Sequence, residues 1–158
     1  MTTISSRPAV VLVFLCAIAA VSCVSPGQTR SGASAVYSTG LRVTLVSWKD
    51  GVSEYRGNAA EGRWLLAEVR VDYDGNAQYA EIPISDMSVL WEAPDGSKGR
   101  TAPVWVHDPT PGAPGADKRD TLRVRMTNRF TLAFDIPSDA VPESFAVKDT
   151  ELALSPEM

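Results

Sequence analysis

His107 is the only histidine in this chain of 158 residues, and it stands in Trp105-Val106-His107-Asp108-Pro109, at the mouth of a loop rich in proline and glycine that ends near Asp117. An imidazole beside a carboxylate is the pairing of a general base, or of half a metal site. Asp108, Asp117 and Asp120 are the carboxylates close enough in sequence to join it. An envelope enzyme or metal carrier is therefore one reading of the chain. Against it, one imidazole without a second soft ligand makes a poor zinc or copper site. No Gly-x-Ser-x-Gly elbow marks a hydrolase. The simpler expectation is an exposed loop histidine, with no catalytic residue, metal or cofactor.

A second constellation, Asp72-Tyr73-Asp74-Gly75-Asn76, places oxygen ligands at the first, third and fifth positions of an EF-hand-like loop. The loop then departs from the calcium pattern, because its glycine comes too early and Pro83 stands where a bidentate glutamate belongs. The same residues favour left-handed backbone angles and predict a hairpin turn.

Lys118, Arg119, Arg123, Arg125 and Arg129 are a basic run in an acidic protein, which has 15 Lys and Arg against 19 Asp and Glu and a formal charge of −4. Alternation sets Arg123 and Arg125 on one face, opposite Leu122, Val124 and Met126. That face is either solvated, discouraging edge-to-edge pairing, or rests on anionic headgroups. Of the four tryptophans, Trp48, Trp64, Trp91 and Trp105, parity turns Trp91 inward with Met87 and Val89. Trp64 is out of phase with Leu65, Val69 and Val71, and Trp105 adjoins the long loop. Trp64, Trp105, His107, Arg123 and Arg125 are thus the candidate interaction surface, suited to stacking or to anchoring a protein contact.

The elements that must position these residues begin after a leader. Residues 1–22 carry one basic residue, Arg7, and a 13-residue apolar run at 9–21, the length of a signal h-region and short of the roughly 20 residues a spanning helix needs. Ala20-Val21-Ser22-Cys23 resembles a lipobox, which predicts lipidation at Cys23. An ordinary secretory signal cut near Ser22 and an uncleaved anchor are the alternatives. Cys16 departs with the leader, so the mature chain keeps no thiol for a disulfide or a nucleophile. It holds 14 basic and 19 acidic side chains, which disfavours nucleic acid. Residues 23–35 are small, polar and aperiodic, and predict a flexible tether.

Residues 36–158 predict one all-β domain. Leu41, Val43 and Leu45 alternate with polar residues, as do Leu65, Ala67, Val69, Val71 and Tyr73 in the longest such run. Further runs lie at 87–91, at Leu122, Val124 and Met126, at 130–136 and at 145–147. Turn signals stand at Asp74-Gly75-Asn76, Asp95-Gly96 and Thr127-Asn128-Arg129. Six to eight short strands of this kind predict a β-sandwich.

Three stretches carry a resemblance to a known family. Gly62-Arg63-Trp64-Leu65-Leu66-Ala67-Glu68-Val69-Arg70-Val71 is similar to a long second strand, Met87-Ser88-Val89-Leu90-Trp91-Glu92-Ala93-Pro94-Asp95-Gly96 to a middle strand and its turn, and Arg129-Phe130-Thr131-Leu132-Ala133-Phe134-Asp135-Ile136-Pro137 to a late strand ending Phe-Asp-x-Pro. In order and spacing the chain resembles the telokin-like, immunoglobulin-fold domains of domain-of-unknown-function family 4352, found in bacterial lipoproteins and secreted proteins. The resemblance implies an immunoglobulin-like sandwich of about seven strands and no transferable catalytic activity. The expected function is a membrane-anchored, extracytoplasmic, non-catalytic binding module for an envelope protein or polymer, held by the lipid on Cys23; neither its ligand nor its oligomeric state is set by the sequence.

Overall fold

The computed structural model describes residues 28–109 and 117–154. Cys23 and the leader lie outside the described residues. The chain runs through β1 (Gln28–Arg30), β2 (Ser34–Ser38), β3 (Leu41–Tyr55), β4 (Asn58–Tyr73), β5 (Ala80–Pro83), a single 3-10 turn at Ile84–Asp86, β6 (Met87–Glu92), β7 (Lys98–Thr101), β8 (Trp105–His107), β9 (Thr121–Val124), β10 (Thr127–Ile136), β11 (Val141–Val147) and β12 (Thr150–Ala153). No helix among the described residues is long and apolar enough to cross a membrane.

The strands build an antiparallel β-sandwich. One sheet has the order β1-β3-β4-β10-β8, with β2 also on β3; the facing sheet is β12-β11-β6-β7; β5 and β9 pair at the side. The period-two runs explain the core. Leu41, Val43 and Leu45 of β3, Leu65, Ala67, Val69 and Val71 of β4, and Phe130, Leu132, Phe134 and Ile136 of β10 point inward and are buried with Met87, Val89 and Phe145 of the second sheet. Phe134 and Phe145 meet edge to face across the sandwich at 6.1 Å. Each such buried aromatic or aliphatic side chain contributes about 2 kcal/mol.

Twelve strands form among the described residues where about seven were expected, because several short strands carry no hydrophobic period. Among the described residues pairing begins at Gln28, inside the segment 23–35 read as a tether. Gln28–Arg30 pairs with 47–49 of β3 and Ser34 onward with 41–44, while Ser31 N–H donates to Val46 O and Leu45 N–H to Ala33 O. Edge pairing is made by backbone groups, so small polar residues do it without a side-chain pattern. Tyr37 then ties β2 to the turn before β6 through its hydroxyl, which donates to Asp86 Oδ2 at 2.6 Å.

Two turns differ from expectation. Residues 74–79 cross from β4 to β5, which pairs with β9 and not with β4, so the segment is a crossover and no hairpin. The β9–β10 turn falls at Arg125-Met126, ahead of Thr127-Asn128-Arg129. Met126 has φ of 56° there and is 80% exposed, whereas alternation with Leu122 and Val124 had turned it inward. The strand ends at Val124, and with it the alternation.

β3 and β4 run past the rest of the sheet as a hairpin arm. Register shifts occur between Lys49/Val52 and Val52/Glu54, and each inserted residue bends the pair. The bend is fixed at one corner. Glu61 and Gly62 N–H groups donate to Asp135 Oδ2 and Oδ1 at 2.8 and 3.0 Å. Arg63 clasps both oxygens of Asp50 at 2.8 and 2.9 Å and also donates to the carbonyls of Ser138 and Ala140. Gly62 lies so close to β10 that a Cβ there would sit 2.1 Å from Ile136 O. The bent arm covers the outer face of β4 and buries Trp64, expected to be exposed, to 2%; its indole N–H donates to Asn58 O at 2.9 Å. Parity placed Trp64 on the outer face correctly, but the arm turns that face into a second interior.

Gly62→Ala is expected to cost about 3 kcal/mol, because backbone must move to admit the methyl. Gly32→Ala, with nothing within 4 Å, is expected to stay within about 0.5 kcal/mol of the parent. Urea unfolding of both variants checks the close approach, and equal midpoints would refute it.

Candidate functional site

His107 is the last residue of β8, on the outer face of the large sheet and opposite Thr131 of β10. This corrects the expectation of an exposed loop histidine: pairing with β10 holds its backbone, and the arm covers its ring. Arg56 and Gly57 form the two-residue tip of the arm with φ of 50° and 79°, the doubly positive pattern of a type I′ hairpin turn. From there Arg56 Nη2 reaches His107 Nε2 at 2.7 Å. His107 Nδ1 is buried without a hydrogen-bond partner among the described residues. Burial, and then the Arg56 charge, hold the imidazole below its ordinary pKa; Asp108 opposes that shift and Arg119 adds to it.

Of the carboxylates expected near this ring, Asp108 acts on it electrostatically, while Asp117 is engaged elsewhere. Asp117 takes Arg119 in a two-oxygen ion pair at 2.5 and 2.9 Å, and its backbone forms an isolated bridge with Val106. Asp120 accepts the Ile84 amide through its carbonyl. No group of three or more His, Cys, Asp or Glu among the described residues is arranged to hold a metal ion. Trp105 is half-buried with the Lys118 ammonium 5.3 Å from its ring centroid, within cation–π range.

Three members of the basic run, Arg119, Arg123 and Arg129, are each taken into an ion pair. Arg123 donates to Glu81 on the neighbouring strand and stacks over Tyr79 at 4.4 Å. Arg129 donates to Glu68 at 3.0 Å. Arg125 lies beyond the end of β9, so it does not share a strand face with Arg123 as alternation suggested; its backbone amide donates to Asn128 Oδ1. Exposed pairs of this kind contribute at most about 1 kcal/mol each.

The EF-hand-like carboxylate is occupied too. Asp72 Oδ2 accepts from Arg70 Nε at 2.9 Å, and Oδ1 from the Thr127 hydroxyl at 2.8 Å.

A different site emerges at the Leu41 end of the large sheet. Val36, Arg42, Asp72 and Thr127 are successive register partners across β2, β3, β4 and β10. Their outward face, together with Tyr73, Asp74 and Met126, forms an open groove of about 600 Å³. Val36 is 66% exposed and Met126 80%, so two of the largest exposed apolar side chains stand at the two flanks of one groove. The sequence concealed this site, because its residues come from four separate segments and Met126 read as core. The doubtful signal was available in Arg125-Met126-Thr127-Asn128, where a turn interrupts the alternation.

In comparisons with known proteins, no family model, no curated protein and no solved structure matches this chain, so the reading of its function rests on the geometry of its own residues.

Proposed function

We propose that this protein is a lipid-anchored, extracytoplasmic and non-catalytic binding module, in which the Val36–Met126 groove receives a segment of an envelope protein. The observation that carries this reading is the placement of two exposed apolar side chains on either flank of a polar strip. Apolar flanks desolvate a ligand side chain, while Arg42, Ser38 and Thr127 between them supply donors and acceptors for a peptide backbone. Charge selects the class of partner. Asp72 is already held by Arg70 and Thr127, so the groove itself presents Asp74 against Arg42, and it is the acidic mature chain that disfavours an anionic polymer.

The anchor belongs to the same proposal. Cys23 precedes Gln28, the first residue of β1, by five positions, which span at most about 17 Å.

Mass spectrometry of the processed N-terminus is expected to show a diacylated Cys23. An unmodified N-terminus at any other residue would remove the anchor and leave the groove proposal intact.

For the groove, photo-crosslinking residues placed at Val36 and at Met126 are expected to capture the same envelope protein in cells, through a contiguous segment. Val36→Asp combined with Met126→Asp should lower that capture by about tenfold, with unfolding shifted by no more than about 0.5 kcal/mol because both sites are exposed. Crosslinking equal to that from a probe at Tyr79 would sink the proposal.

A further inference from the structure

The tip of the arm is held on β8 by a contact that survives only while one partner is uncharged. Every nitrogen of a guanidinium is a donor, so Arg56 Nη2 at 2.7 Å requires a bare Nε2 on His107. The ring proton must then sit on Nδ1, the atom buried without a partner among the described residues. Adding a second proton places N–H against N–H and one cation against another.

We propose that Arg56 and His107 form an acid-released latch, in which protonation of His107 expels the arm tip from the outer face of the sheet and uncovers Trp64. Three features make the tip ready to leave. Arg56 is a non-glycine residue in the left-handed region at φ 50°, a conformation that costs about 1 kcal/mol and persists only while neighbours enforce it. Asn58 Nδ2 braces the turn from within by donating to the carbonyls of Tyr55 and Arg56, so the tip moves as a unit. Trp64 donates its indole N–H to Asn58 O, which couples the tip directly to a buried aromatic.

The charges around the ring favour release. Arg56 faces it from the tip and Arg119 from the segment before β9, and both disfavour an imidazolium; Asp108, next along the chain, favours one. Asp117 is paired with Arg119. Lys118 lies over the neighbouring Trp105. Glu68, beyond Thr131 on the same face, is held by Arg129 and by the Ser47 hydroxyl. The folded chain thus resists protonation more than the unfolded chain does. The latch is fully formed above the ordinary imidazole range near 6.5 and is lost as pH falls through the lower value of the folded state.

The test is nuclear magnetic resonance of the full chain in detergent between about pH 7.5 and about pH 5. The Trp64 indole N–H signal and the amide protection of residues 52–60, corrected for intrinsic exchange, are expected to follow the His107 ring titration, with protection falling about tenfold. His107→Gln keeps an acceptor for Arg56 but does not titrate, so its tip should stay protected throughout. Arg56→Ala should raise the His107 titration midpoint. Tip and indole signals that ignore the His107 titration, or the same acid response in His107→Gln, would overturn the latch. An unchanged His107 midpoint in Arg56→Ala would do so as well, even if His107→Gln fails to fold.

Discussion

The bend in the β3–β4 hairpin depends on one constraint: the backbone amides freed by the register shifts must find partners where the strands leave the regular ladder. A buried amide left unpaired costs about 1–3 kcal/mol. Asp135 of β10 accepts the Glu61 and Gly62 amides, and Arg63, holding Asp50 in a planar fork, ties the arm to the carbonyls of Ser138 and Ala140 after β10. Arginine suits this position because its donors are fixed in one plane and can serve a carboxylate and carbonyls together. Gly62 is required because β10 passes too close for any side chain. The arm's path over Trp64, and so the contact of its tip with His107, follows from this corner.

The same corner explains how far the sequence could be read. Inward-facing runs such as Leu65, Ala67, Val69 and Val71 were legible because a half-buried strand writes its burial every second residue. Gly62-Arg63 and Phe134-Asp135-Ile136-Pro137 were visible as separate motifs, and the structure shows them to be partners across one strand pair. Their interaction was not legible, since it joins segments more than 70 residues apart. Trp64 shows the limit most clearly. Its phase gives the face of the strand, but its burial is decided by an arm whose path no local pattern records.

Lateral pairing also decides how the basic run is arranged. Arg123, Arg125 and Arg129 look like a basic patch along the chain, yet the partners of a strand residue are its lateral neighbours. Arg123 meets Glu81 and Arg129 meets Glu68, at sequence separations of 42 and 61. A linear cluster becomes a set of neutralised pairs whenever the adjoining strands carry the opposite sign. The apolar groove has the inverse history. Val36 and Met126 are isolated in sequence, and only the register from β2 through β10 brings them together.

The placement of the groove relative to the chain entry gives the fold a direction. Gln28 is level with Lys49, and the cross-strand partners run on through Leu66 and Ala133 to Trp105. The groove opens at Leu41, eight positions further along β3, which is about 27 Å at strand rise. A lipid on Cys23, as proposed, would fasten the chain near the middle of the long strand and leave the Leu41 end projecting away from it. The arm tip is bent back over the sheet: Arg56 reaches His107, whose register line through Thr131 and Glu68 meets β3 at Ser47. Thr127 of the groove lies on the same strand, β10, as Thr131, so β10 joins the groove and the latch directly.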